Sequence, residues 1–319
     1  MNPARNISTR LTQLTQHFTP RTMSTTSSGT TGPAPWRPSF LKNVTEMSSP
    51  EFTLATLHDA SAASPSPRLR TVVFRGLWAS LPVNPKNTAD LNPPSYESDI
   101  LTLTTDARMA KVPDLLAQPG SSDSIPESGG GALVEACFWT PARVQWRVRG
   151  EAYILGRDVD SASAEAVRSK LLARMRKASS SEEVARRTRE DLPSEVKDNV
   201  VSGSDWSFAR EVTAHFGNLS PAMRGTFRNP EPGAPRASNP PTDELKLGQK
   251  VEDLNDPVAR TNFRVVVIVP AEVDRTDLSD AEDPRRWLYR FVGAGAEGDE
   301  PPADGAERSN GWEMVEVWP

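Results

Sequence analysis

Hydrophobic and polar positions trade places in short blocks along this chain, more often with the two-residue period of a half-buried strand than with a helical one. "EFTLATLHDA" (51–60) puts Phe52, Leu54, Thr56 and His58 on one face and predicts a strand. "SAASPSPR" is a loop leading into a second strand over 69–78, so the two read as a hairpin. A third strand is expected at 99–105, then a turn and a helix from about Ala107, with Met109, Val112 and Leu116 at helical spacing. "ALVEACFWTPARVQWRVRGEAYILG" reads as two strands joined at Thr140–Pro141, or one long strand broken there. "NFRVVVIVPAEVDRTDL" is the strongest strand pattern, followed by "RRWLYRFVG" and "GWEMVEVWP".

Helices fall between these groups. Trp36 and Phe40 anchor a short one in "APWRPSFLKNV". Val167, Leu171 and Met175 recur every fourth residue, so "AEAVRSKLLARMRK" predicts a helix with a basic outer face. Ser180 and Glu183 form a capping box for another. "WSFAREVTAHFGNLSPAMRGTFRNPEPG" holds a further helix and a turn, and "ASNPPTDELKLGQKVEDLND" is linker-like. Runs of strands with helices between the runs indicate a mainly β chain with helices (α+β), an antiparallel barrel rather than a doubly wound sheet. Segments 118–131, 158–204 and 292–310 read as insertions; 158–204 is taken as surface, mostly solvated charge.

Composition narrows the classes. The 319 residues include 29 prolines and carry a net charge of −5, with a mean hydropathy of −0.52. That suits a compact core diluted by polar, proline-rich segments. The acidic balance argues against a nucleic-acid binder, and no apolar run is long enough to span a bilayer. One cysteine, Cys137, excludes an intramolecular disulfide, and with three histidines it leaves little for a metal site. Cys137 reads as a small packed hydrophobe. Met1 to Thr45 contains no Asp or Glu but has Arg5, Arg10, Arg21, Arg37 and Lys42. Residues 1–33 are therefore either a disordered tail of a cytoplasmic protein or a mitochondrial transit segment, with the ordered domain spanning 34–319.

Candidate chemistry begins with "RTVVFR", a strand closed by Arg70 and Arg75. Burying an unpaired guanidinium is costly, so these two either sit at wet strand ends or await an anion. Thr104 and Thr105 end the next strand, and Arg108 and Lys111 follow in the first helical turns, where backbone N–H groups attract phosphate. Taken singly, each of these cations is an ordinary solvated residue. Gln145 lies in a later strand, able to donate and accept. "GAGAEG" at 293–298 matches a dinucleotide fingerprint, but "DEPPADGAERSNG" after it cannot start a helix, so it reads as a hairpin loop. His58 reads as a structural or surface residue rather than a base, His215 lies in a helix with no evident partner, and no side chain stands out as a general acid or base.

In their order and spacing, "RTVVFRG", "LTTDARMAK", "RVQWRVRGEAYIL" and "RRWLYRF…GWEMVEVWP" resemble the pyridoxamine 5′-phosphate oxidase-like flavoproteins. The closer likeness is to the FMN-binding-domain branch rather than the oxidase proper. It runs from about Trp36 to Pro319. The resemblance implies an FMN-binding split β-barrel that dimerises and holds FMN at the subunit interface. Under it, the FMN-contacting strand falls on Arg70, Thr71, Val72, Val73, Phe74 and Arg75, with Arg70 toward the phosphate. The family's Tyr-Thr pair falls on Thr104 and Thr105, and its helix lysine on Lys111, with Arg108 in place of an arginine two residues further on. The flavin-side glutamine falls on Gln145 and the C-terminal arginine on Arg286; Trp287, Trp312 and Trp318 fill the barrel and the interface.

The departures bear on activity. "DAEDPRRW" lacks the histidine that precedes the last arginine in the oxidase. The residues that hold the substrate phosphate there have no match around "SPAMRGTFRNPEPG". Arg75 stands where the oxidase has a lysine. The expectation is an FMN-dependent oxidoreductase of unnamed substrate; a non-catalytic flavin-binding module and the oxidase proper are the alternatives.

Overall fold

One long strand organises the molecule. In the computed structural model, which describes residues 30–58, 64–116, 127–178, 194–200, 206–238, 249–293, 302 and 305–319, that strand is β8, Phe263–Asp277. Its β-branched run fits a pleat buried on both faces. Val266 and Ile268 enter one hydrophobic cluster, while Phe263, Val265, Val267 and Val269 enter a second on the opposite face.

Before β8 come α1 (Arg37–Thr45), β1 (Glu51–His58), β2 (Ser66–Val73), β3 (Tyr96–Ser98), β4 (Leu101–Asp106), α2 (Lys111–Leu116), β5 (Gly129–Trp139) and β6 (Val144–Leu155). They are followed by α3 (Glu165–Leu172), β7 (Met175–Lys177), α4 (Phe208–Gly217), α5 (Pro221–Gly225) and α6 (Pro257–Asn262). After β8 come β9 (Arg285–Phe291), β10 (Ala306–Ser309) and β11 (Trp312–Val317). Nine strands share one antiparallel sheet in the order β10-β11-β9-β8-β6-β5-β1-β2, with β4 also on β8; β3 and β7 pair separately. β8 lends one edge first to β4 (Phe263–Ile268) and then to β9 (Glu272–Asp277). The change falls around Pro270, which has no N–H to give to a ladder. A bulge lies opposite, between Arg149 and Gly150. A Cβ on Gly150 would meet the Val269 carbonyl oxygen at 2.0 Å, so glycine is required there.

The mainly antiparallel sheet with helices on it agrees with the pattern of the sequence, and the sheet is not closed. β2 ends at Val73 rather than running on to 78. After β2 the chain turns away through Gly76, whose φ of 105° suits glycine, and bonds to β4 through Arg75 N–H to Thr102 O (2.9 Å) and to the residue just before β4 through Trp78 N–H to Ile100 O (2.9 Å). Inside the sheet's curve, Phe40 meets Phe74, Phe138 and Trp146 edge-on at 5.1–5.7 Å between ring centres. Edge-to-face contact suits the ring quadrupoles.

The second cluster corrects the reading of 158–204. Val159, Val167, Leu171, Met175 and Val196 are buried, and α3 and α4 cover the outer face of β8. α3 stops at Leu172 because the chain turns at Ala173–Arg174 and pairs as β7 with β3. Arg176 then reaches Asp99 (2.7 Å) and Glu97 (2.8 Å), and Arg37 joins Asp99 at 3.2 Å. Two other expected insertions also contain structure, since β5 opens at Gly129 and β10 lies within 292–310. α2 begins at Lys111, not Ala107, so Arg108 and Met109 lie in the turn before it. The expected tail, most of 118–131, the Ser180–Glu183 capping box and the 293–298 glycine run fall wholly or mostly outside the described residues.

Candidate functional site: a cation cluster at the sheet's open end

α2 lies across β1, and its Asp114 turns inward with a side chain 2% exposed. Strand alternation aims Thr56 at it from β1. Thr56 donates to Asp114 Oδ2 at 2.8 Å, and His58 Nδ1 lies 2.8 Å from Oδ1. Arg70, on β2, sends its guanidinium to the same place: Nη1 donates to Thr56 Oγ1 (2.7 Å) and to the carbonyls of Leu54 and Arg68, while Nη2 lies 3.5 Å from Asp114. Lys111, three residues before Asp114 on α2, donates to Thr105 Oγ1 at 3.0 Å.

Burial lowers the Arg70 pKa from its ordinary value, with the Asp114 carboxylate opposing it. Burial also lowers that of Lys111, and the neighbouring Arg70 charge adds to the effect. Two cations thus stand close enough to repel each other, partly stripped of water. Asp114 is the counter-charge of Arg70, and Asp106 acts on Lys111.

The other expected residues are distributed as follows. Thr71 is exposed, Val72, Val73 and Thr104 are half-buried, and Phe74 is in the core. Arg108 does not join Arg70 and Lys111. It forks onto Asp106 (2.9 and 2.7 Å) and donates to the carbonyls of Asn229 (2.9 Å) and Phe227 (3.3 Å). The bonds to Asp106 raise its pKa. Arg75 faces away from the cluster into a cleft lined by Leu81, His215, Asn218 and Leu219; its Nε is buried without a partner, and burial lowers its pKa.

Gln145 and Arg286 lie at the far end of β8. A row of cross-strand neighbours, Trp139, Gln145, Thr276 and Arg286, crosses β5, β6, β8 and β9. Thr105 pairs instead with Arg264. Arg70 pairs with Leu54, and Leu54 with Ala136, three residues before Trp139 on β5. Arg286 is fixed by a fork on Asp274 (3.1 and 2.8 Å), which Arg147 also contacts. Burial would raise the Asp274 pKa, but the two arginines outweigh it and hold it low.

His58, Thr56 and Asp114 were not singled out from the sequence for this cluster. The alternation of β1 did carry a signal, because it placed Thr56 and His58 on the inward face beside Phe52 and Leu54. His215, expected to lack a partner, is buried, stacks on Trp78 at 5.8 Å and lies 3.9 Å from Glu211. Trp312 is core, as expected of a barrel-filling residue, whereas Trp318 is exposed. Among the described residues no group of three or more His, Cys, Asp or Glu could hold a metal ion, and no helix is long and apolar enough to cross a membrane.

No curated protein matches the chain. Among solved structures, a pyridoxamine 5′-phosphate oxidase-related, FMN binding protein from Nostoc punctiforme is 20% identical, with 90% of this chain and 98% of that chain covered and a TM-score of 0.48. PhzG from Burkholderia lata, in complex with tetrahydrophenazine-1-carboxylic acid, is 13% identical, with 89% and 88% covered and a TM-score of 0.40. The stronger finding is in the sequence: residues 33–156, which hold the cation cluster and Gln145 but not Arg286, match the family model of the pyridoxamine 5′-phosphate oxidase FMN-binding domain, and that family indicates FMN as the cofactor.

Proposed function

We propose that this chain is an FMN-dependent oxidoreductase acting as a homodimer, with the cofactor's phosphate on Arg70, Lys111 and Thr105. The carrying observation is the Arg70–Lys111 pair. Two desolvated cations side by side cost free energy that a dianion would recover, and charge-assisted bonds to phosphate are among the stronger ones. The residues therefore fit the group that the family model indicates. Bound FMN would supply hydride acceptance, and the protein binding, orientation and electrostatics.

The homodimer rests on two features. The family resemblance places the cofactor between two subunits and assigns Gln145 and Arg286 to the flavin. Both face outward on the sheet, the same side as Leu69 (67% exposed), Leu133 (58%) and Trp139 (55%). A second copy on this face would cover the apolar residues, and in the arrangement the resemblance implies its Gln145 and Arg286 would complete the first copy's site. Each interface would then complete two equivalent sites.

The test is a visible spectrum of the purified chain after incubation with FMN and desalting, together with its mass in solution. A retained flavin spectrum on a particle of twice the chain mass is the expected result. A colourless protein overturns the FMN reading, and a yellow monomer overturns the shared site.

A further inference from the structure

The cluster contains a third group able to carry positive charge. His58 and Arg70 divide one carboxylate between them, His58 on Asp114 Oδ1 and Arg70 beside Oδ2. Asp114 is buried, yet the His58 side chain is 51% exposed. With Nδ1 held by Asp114, the ring is fixed in orientation and Nε2 is left for a ligand. Thr56 locks the arrangement by giving its proton to Asp114 while accepting from Arg70. Such a couple of carboxylate and imidazole at a cationic rim has two uses, as a base or as an anion ligand. The adjacent charges decide: Arg70 shares its carboxylate, the Arg70 charge acts on Lys111, Arg68 acts on Arg70 from the same strand, and Asp106 is engaged by Arg108.

We infer that His58, positioned by Asp114, is a third ligand of the phosphate held by Arg70 and Lys111. This rests on the FMN reading above and adds a residue to it. With its ring held through Nδ1 by Asp114, His58 donates Nε2–H to a phosphate oxygen, a charge-assisted hydrogen bond.

FMN titrations of the full chain at pH 6, followed by flavin fluorescence, compare the natural protein with His58→Asn. Riboflavin, which lacks the phosphate, is the control. The expected result is FMN binding weaker by about tenfold, the size of one charge-assisted hydrogen bond, with riboflavin binding unaffected. Equal FMN affinity of the two proteins at pH 6 overturns the inference while leaving the Arg70–Lys111 site standing. An equal loss for riboflavin assigns His58 to the fold and also overturns it. If the natural protein takes up no FMN, the inference falls with the reading beneath it.

Discussion

Arg70 and Arg108 show how little a residue's type says about its role. Both are half-buried arginines next to a carboxylate. Arg108 has its fork filled by Asp106 and the carbonyls of Asn229 and Phe227, so it is a strut joining the turn before α2 to the segment after α5. Arg70 shares Asp114 with His58 and has Lys111 as a like-charged neighbour. Arg70→Ala should therefore weaken FMN binding by about ten- to a hundredfold, the equivalent of one charge-assisted bond of roughly 1.5–3 kcal/mol. Arg108→Ala should leave FMN affinity within about threefold while lowering stability by about 1–3 kcal/mol through the buried acceptors it abandons. Fluorescence titration and urea unfolding of the two variants separate the roles. An unchanged affinity in Arg70→Ala would remove that residue from the site.

Among the elements, α4 carries a pH dependence of stability. Burial pushes His215 down to about 3, with the Arg75 charge adding to it, and burial raises Glu211 on the turn before. A histidine depressed in the folded state leaves stability untouched above its unfolded value near 6.5. Below that value it removes about 1.4 kcal/mol per pH unit, until the folded value is reached. Glu211 acts oppositely: its penalty is present above its unfolded pKa and is relieved by acid. Between pH 7 and pH 5 the histidine alone withdraws about 2 kcal/mol. His215→Gln should show a smaller loss of urea midpoint over that range than the natural protein, and an equal loss would contradict the assignment. A second element, β7, depends on an ion network. Arg176→Met would leave buried Asp99 with Arg37 and the Ala34 N–H and should cost about 3 kcal/mol in urea unfolding, as broken buried pairs do.

At the scale of the whole molecule, Lys111 reaches Thr105 opposite Arg264 near one end of β8, while Gln145 and Arg286 flank Thr276 near the other. If a second copy unites them, Arg70→Ala and Gln145→Ala each damage every site, but from different chains. Unfolded together and refolded as a one-to-one mixture, half of the dimers are mixed, and each mixed dimer has one intact site. About a quarter of full-affinity FMN binding should therefore return. No recovery in a mixture shown to contain mixed dimers would argue for a site within one chain.

The strands were legible because each is an alternating or continuous apolar run that keeps its meaning locally: "NFRVVVIVP" is a strand wherever it sits. Arg70, Lys111 and Thr105 could be named from order and spacing for the same reason, as they lie within or just after such runs. What the sequence did not carry was how charge is shared. Whether Arg108 faces a ligand or Asp106, whether His58 is surface or cluster, and whether 158–204 is solvated or core all depend on contacts between residues tens to hundreds apart. Arg108 takes carbonyls from Phe227 and Asn229, Asp114 gathers two strands, and α3 shields β8. Hydrophobic periodicity is a property of neighbours in the chain and predicts elements; neutralisation of a charge is a property of neighbours in space, and only the folded arrangement supplies them.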